Sequence, residues 1–163
     1  MARWLRHVFA PSVRRRFPPA TLAAITAAIA EGERRHGGQV MFAVEADLPL
    51  ACVWRGVSPR QAAERAFAHL RTWDTAANNG VLIYLLLADH AIEIVADRGL
   101  HGRVAAAQWQ AICEQLRNGL QGPEPRAALC QAVAAVSGLI AEHYPPLDTG
   151  DADGLPNTPQ VLG

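Results

Sequence analysis

Seven polar residues of this sequence have the types that could act together on a phosphate or a cation: Glu33, His36, Asp74, Asn78, Asn79, Asp97 and Arg98. Carboxylates at Glu33, Asp74 and Asp97 are the hard oxygen donors a divalent cation takes. Asp97 could equally serve as a base, and Arg98 carries the planar fork of donors that clamps an anion. His36, Asn78 and Asn79 would complete the binding rim. The same residues also suit plain structure: Asn79-Gly80 makes a turn, Asp97 and Arg98 pair or cap the following helix, and His36 caps the preceding one. They lie far apart in the chain, so joint chemistry depends on the elements that carry them.

Hydrophobic patterning predicts those elements. Leu22, Ile25 and Ile29 at helical spacing, prolines at the entrance and Gly37-Gly38 at the exit predict a first helix over 19–36. Within it Arg35-His36-Gly37 reads as a cationic last turn and glycine cap. A strand follows over 39–47. The second helix opens at Ser58, with Pro59 in its first turn and Gln61 completing a capping box, and ends near Asp74. The run 81–87 is almost wholly β-branched and leucine-rich, the pattern of a strand buried on both faces. Across the turn Ala88-Asp89-His90-Ala91, 92–96 reads as its hairpin partner. Two more helices, 104–120 and 123–144, are separated by Gly119 and Gly122.

Strand, helix, strand in one small sheet implies a parallel pair joined by a right-handed crossover. The fold class is therefore α/β, a three-layer α/β/α sandwich with a short mixed sheet and helices on both faces. The end of the hairpin's second strand lies beside the start of its first, which places Asp97 and Arg98 next to Asn78 and Asn79. The parallel strand brings Glu33 and His36 to the same edge, and Asp74 joins from a loop. The opposite edge, with Glu45, Asp47, Asp89 and His90, is a weaker second candidate.

With 163 residues, 50% apolar and 18% charged, the chain is sized for one globular domain whose core needs no cross-links. All 15 basic residues are arginine, which excludes phosphate-loop NTPases, protein kinases and lysine Schiff-base enzymes. Cys52, Cys113 and Cys130 fit neither a disulfide framework nor a metal motif, so a reducing cytoplasm is expected. No apolar run approaches the ~20 residues of a membrane helix. Asp151-Ala152-Asp153-Gly154 imitates a calcium loop, but its twelfth position falls on Gln160, so a solvated segment is expected.

Charge divides the chain into a basic arm over 1–18, a domain over 19–144 and a Pro/Gly/Asp-rich tail over 145–163. Before Glu31 stand five arginines, including Arg14, Arg15 and Arg16, and no acid. Trp4, Leu5, Val8 and Phe9 would share one side of a short helix, with Arg3 and His7 elsewhere. Such an arm could touch an anionic membrane surface or a partner, or fold back on its own domain. Nucleic acid is not expected: one arginine triplet without interleaved aromatics, on a chain of zero net charge, is a poor footprint.

Asn78-Asn79-Gly80-Val81-Leu82-Ile83-Tyr84, followed by Ile92-Glu93-Ile94-Val95-Ala96-Asp97-Arg98-Gly99-Leu100-His101-Gly102, resembles the TPM domain family. That family's hallmark is an aspartate-asparagine-glycine turn into a hydrophobic strand, a hairpin, and a glycine-leucine-x-glycine turn before a helix. Arg16-Phe17-Pro18, Glu33 to His36, 39–47 and Leu155-Pro156-Asn157 further resemble its short soluble bacterial branch. The resemblance implies the same sandwich, acid-phosphatase activity in plant members, and divalent-cation sites in some bacterial members. Here the family's aspartate is Asn78, and an acidic position of the second strand is Val95, which removes two anionic ligands.

Two expectations follow. The first is a non-catalytic interaction domain, cytoplasmic and peripheral to the inner membrane, docking on a membrane-protein partner or an oligomer through Trp4, Phe9 and Arg14 to Arg16. The alternative is a cation-assisted acid phosphatase, using calcium or magnesium, in which Asp97 and Glu33 hold the metal and Arg98 steadies the phosphate.

Overall fold

Residues 80–86 carry no charge and all seven are buried, so a strand here needs cover on both faces. The computed structural model, which describes residues 2–146 and 156–162, provides that cover. In chain order its elements are α1 (Arg3–Val8), α2 (Val13–Arg16), α3 (Pro19–Glu33), β1 (Gln39–Glu45), α4 (Leu50–Trp54), α5 (Pro59–His69), β2 (Gly80–Leu86), β3 (Ala91–Ala96), a 3-10 turn (Arg98–Leu100), α6 (Ala106–Gln121), α7 (Pro125–His143) and β4 (Gln160–Leu162). The sheet order is β3-β2-β1-β4, with β1 parallel to β2 and to β4, and β2 antiparallel to β3. Gln39 opposes Gly80 and Val81 opposes Ala96, so three loops converge at one sheet edge as the patterning requires.

Alternation along the strands divides the core. Val40, Phe42, Val81, Ile83 and Ile94 face a layer built from α3, α6 and α7, where Ile25, Ile29, Leu116, Leu129 and Val133 are buried. Met41, Leu82, Tyr84 and Val95 face the other layer, with Val53 of α4 and Ala62, Ala63 and Ala66 of α5. The expected α/β/α sandwich is formed. At the start of α5 the capping box is complete: Gln61 N donates to Ser58 Oγ at 3.2 Å and Ser58 N to Gln61 Oε1 at 2.9 Å.

Three local expectations are corrected. The first helix stops at Glu33, with Arg34 as its cap, so His36 sits in the loop beyond rather than in a last helical turn. The helix starting at Pro59 stops at His69, because Arg71 turns the backbone left-handed (φ 56°). The segment from 145 is not wholly a tail, since Gln160–Leu162 pairs with Ala43, Val44 and Glu45 as the outer strand. The free N–H and C=O row of an edge strand makes three residues enough to register there. Asp148, Asp151, Asp153 and Leu155, read as solvated tail, lie outside the described residues. No helix among the described residues is long and apolar enough to cross a membrane.

Candidate functional site

The polar rim forms from three loops, those before β1, before β2 and after β3, and hydrogen bonds tie them to one another. Asn79 is fully buried; its backbone N donates to Thr75 Oγ1 and its Nδ2 to Gly37 O, both at 3.0 Å. Asn78 adopts the left-handed conformation (φ 51°) that asparagine tolerates, and its Oδ1 accepts from Arg98 Nε at 3.0 Å. Asp97 Oδ1 accepts from Arg98 N at 2.7 Å, capping the 3-10 turn. Tyr144, just past α7, accepts from Gly37 N through its carbonyl and donates its hydroxyl to Gly99 O at 2.6 Å. Arg103 lies over its ring, 5.3 Å from the centroid. Sequence patterning missed Tyr144, whose only signal is its place at the end of an apolar helix.

Asn78, Asn79, Asp97 and Arg98 are thus brought together, while Glu33 and Asp74 have other partners. Asp74 is exposed and accepts from Arg71 Nη2 at 2.6 Å. Glu33 accepts from Val40 N at 3.5 Å and is reached by Asn157 from the strand-β4 segment. Burial pushes its carboxyl above the usual range, against those two hydrogen bonds. Among the described residues, no three of His, Cys, Asp and Glu gather where they could hold a metal ion. Glu33 thus meets Val40 and the Asn157 segment, Asp74 meets Arg71, and Asp97 gives one oxygen to Arg98 N. Asp97 Oδ2 and Asn79 Oδ1 are buried without a donor.

His36 is 3% exposed, and its Nδ1 accepts from Gly38 N at 3.2 Å. Its Nε2 is buried without a partner, as is Ser137 Oγ, where α7 crosses α3 at Gly32. Burial lowers the imidazole pKa to about 4 from its ordinary 6.5. Between those values the unfolded chain binds a proton that the folded chain refuses, so stability is full above pH 6.5 and falls as pH drops toward 4. At about 1.4 kcal/mol per pKa unit, up to about 3 kcal/mol is at stake. The half-buried carboxyls of Glu33, Glu45 and Glu93 are shifted upward by desolvation and act with the opposite sign. Urea unfolding at pH 7 and pH 4.5 should therefore show a smaller acid loss for His36→Gln than for the unmodified chain. Equal losses would contradict this.

The opposite edge of the sheet holds the arm. Asp89, in the hairpin turn, binds Arg3 through Nε and Nη2 at 3.0 and 2.7 Å, Arg6 at 3.3 Å and His7 at 3.3 Å. Burial alone would raise the Asp89 carboxyl, but Arg3, His7 and Arg6 together hold it below its ordinary value. His7 is buried and accepts from Leu48 N through Nδ1 at 2.9 Å. The arm is folded back, and α1 packs on α4 with its polar side inward. Trp4 is 45% exposed, Val8 50% and Phe9 75%, and on α4 Trp54 is 75% exposed. Trp54 escaped sequence reading because a five-residue helix is too short to show a period. Arg14, Arg15 and Arg16 are exposed on α2, while Val13 and Phe17 anchor that turn in the core. At the edge between these ends, Tyr84 donates its hydroxyl to Glu45, while Asp47 is exposed.

The family model for the TPM domain matches residues 15–139. Among solved structures, the chain resembles the BA42 protein from the psychrophilic bacterium Bizionia argentinensis, determined by NMR. The two are 22% identical, with a TM-score of 0.75 over 93% of this chain and 99% of that one. No curated protein matches the sequence.

Proposed function

The chain belongs to the TPM domain family, and from that premise we propose that it is a non-catalytic interaction domain, peripheral to a membrane, which docks on a membrane-protein partner through α1 and α4. The observation that carries this reading is the inverted burial of α1: a short helix tucks its histidine and arginine inward and turns Trp4, Val8 and Phe9 outward, while α4, packed against it, exposes Trp54. Exposed aromatics grouped on one surface mark interaction sites, and tryptophan supplies the largest anchors there. At the rim, Arg98 is engaged by Asn78 across two loops, and Asp74 by Arg71 within one.

Native membranes are the direct test. The chain should sediment with native membranes more strongly than with vesicles made from their extracted lipids, and Trp54→Asp should abolish the difference. Equal binding to both, or no effect of Trp54→Asp, would overturn the proposal.

A second reading, a divalent-cation-assisted phosphomonoesterase at the rim, is favoured by the unpartnered oxygens Asp97 Oδ2 and Asn79 Oδ1. It calls for a melting midpoint that rises with calcium, magnesium or manganese, and for loss of that rise in Asp97→Ala.

A further inference from the structure

We propose that the cleft between α2 and the start of α7 seats the headgroup phosphate of an anionic lipid, so that the exposed arginines of α2 lie against the membrane surface. This rests on the docking reading above and supplies its lipid contact. The cleft has a volume of about 300 Å³; Arg15, Arg16 and Arg126 stand around it, over an apolar floor that includes Phe17 and Leu129. Glu124 is the one acid on its lip.

Charge and position both favour this occupant. Arg3 and Arg6 are spent on Asp89, whereas none of Arg14, Arg15, Arg16 and Arg126 enters a salt bridge among the described residues. Arg16 gives one amine to Leu120 O at 3.4 Å, which points its guanidinium along the cleft wall and leaves its other donors free. Arginines without acidic partners around an apolar floor make a surface drawn to the phosphate of anionic lipid. Each arginine near such a surface contributes about 1 kcal/mol, which makes several together sufficient for specific capture.

Vesicle sedimentation tests this with protein-free membranes. The full chain should bind vesicles of phosphatidylcholine mixed with phosphatidylglycerol, fail to bind pure phosphatidylcholine, and release as salt rises. Replacing Arg14, Arg15 and Arg16 together by glutamine should weaken binding about 100-fold, and Arg126→Gln alone about fivefold. Both variants should keep the melting midpoint of the unmodified chain, since these side chains are exposed. Trp54→Asp should bind the same vesicles unchanged, which separates this seat from the protein-docking surface. Equal binding to neutral vesicles, or full binding by the triple variant, would overturn the proposal. Loss of vesicle binding with persistent excess on native membranes would remove the lipid seat and leave the partner reading intact; the reverse outcome would do the opposite.

Discussion

A Gly80→Ala chain should unfold at a urea concentration far below that of the unmodified chain, losing about 3 kcal/mol or more. A β-carbon at position 80 would lie 1.9 Å from the carbonyl oxygen of Thr72 and 3.0 Å from its carbon, both backbone atoms. Neither side can yield cheaply. Thr72 is fully buried, with its N bonded to Phe67 O at 3.1 Å and its hydroxyl set against Met41 Sδ. Gly80 opposes Gln39 in the sheet and accepts from Asp97 N at 2.9 Å. Glycine is required here for space, because this close approach swings the loop over the start of β2 and delivers Asn78 and Asn79 to the rim. Gly138→Ala, at an exposed position in α7 with nothing near the new carbon, should instead gain about 0.5–1 kcal/mol of helix propensity. Chemical denaturation of the two variants reads both signs. Equal midpoints for Gly80→Ala and the unmodified chain would contradict the packing described.

Removing the Asp89 carboxylate should release the arm. In Asp89→Ala, Arg3, Arg6 and His7 lose their common acceptor, and His7 remains buried beside a vacated position. Breaking a fully buried ion pair costs about 3–5 kcal/mol. Arg3 and Arg6 are 28% and 36% exposed, so solvent screening brings the expected loss nearer 2 kcal/mol. The sharper readout is local: trypsin should cut the arm at its arginines many times faster, while the rest of the domain stays intact, since the anchor of α1 is gone but its core is not. Acid should act in the same direction. Because the folded Asp89 carboxyl lies below its ordinary value, the stability it supplies is present above that value and lost as pH falls through the folded one. An arm equally resistant to trypsin in Asp89→Ala would mean that other contacts hold α1.

Much of this architecture was readable from local patterns. The buried run of β2, the Ser58-Pro59-Gln61 helix start and the hairpin through Ala88 to Ala91 each carry their own periodicity or capping chemistry, and the parallel pairing of β1 with β2 follows from the crossover rule. The convergence of Asn78, Asn79, Asp97 and Arg98 follows from that topology alone. What escaped the sequence lives in tertiary choices. Strand β4 is three residues, too few for a pattern, and owes its place to an open edge of β1. Of Trp4, Leu5, Val8 and Phe9, expected on one side of a short helix, Trp4, Val8 and Phe9 are exposed and Leu5 is half-buried, and periodicity fixes sidedness but not which side faces inward. Asp89 decides that by drawing the polar side down. Asp74 was drawn toward the rim by its loop, yet Arg71, three positions earlier and itself left-handed, takes its carboxylate first.

The central claim is that this chain works by docking through the α1–α4 surface. A photoreactive phenylalanine analogue placed at position 54 in one strain and at position 98 in another, in cells that naturally make the chain, tests it most directly. The account predicts that illumination joins position 54, and not position 98, to one integral membrane protein. Adducts formed at position 98 alone, or none at position 54, would contradict it.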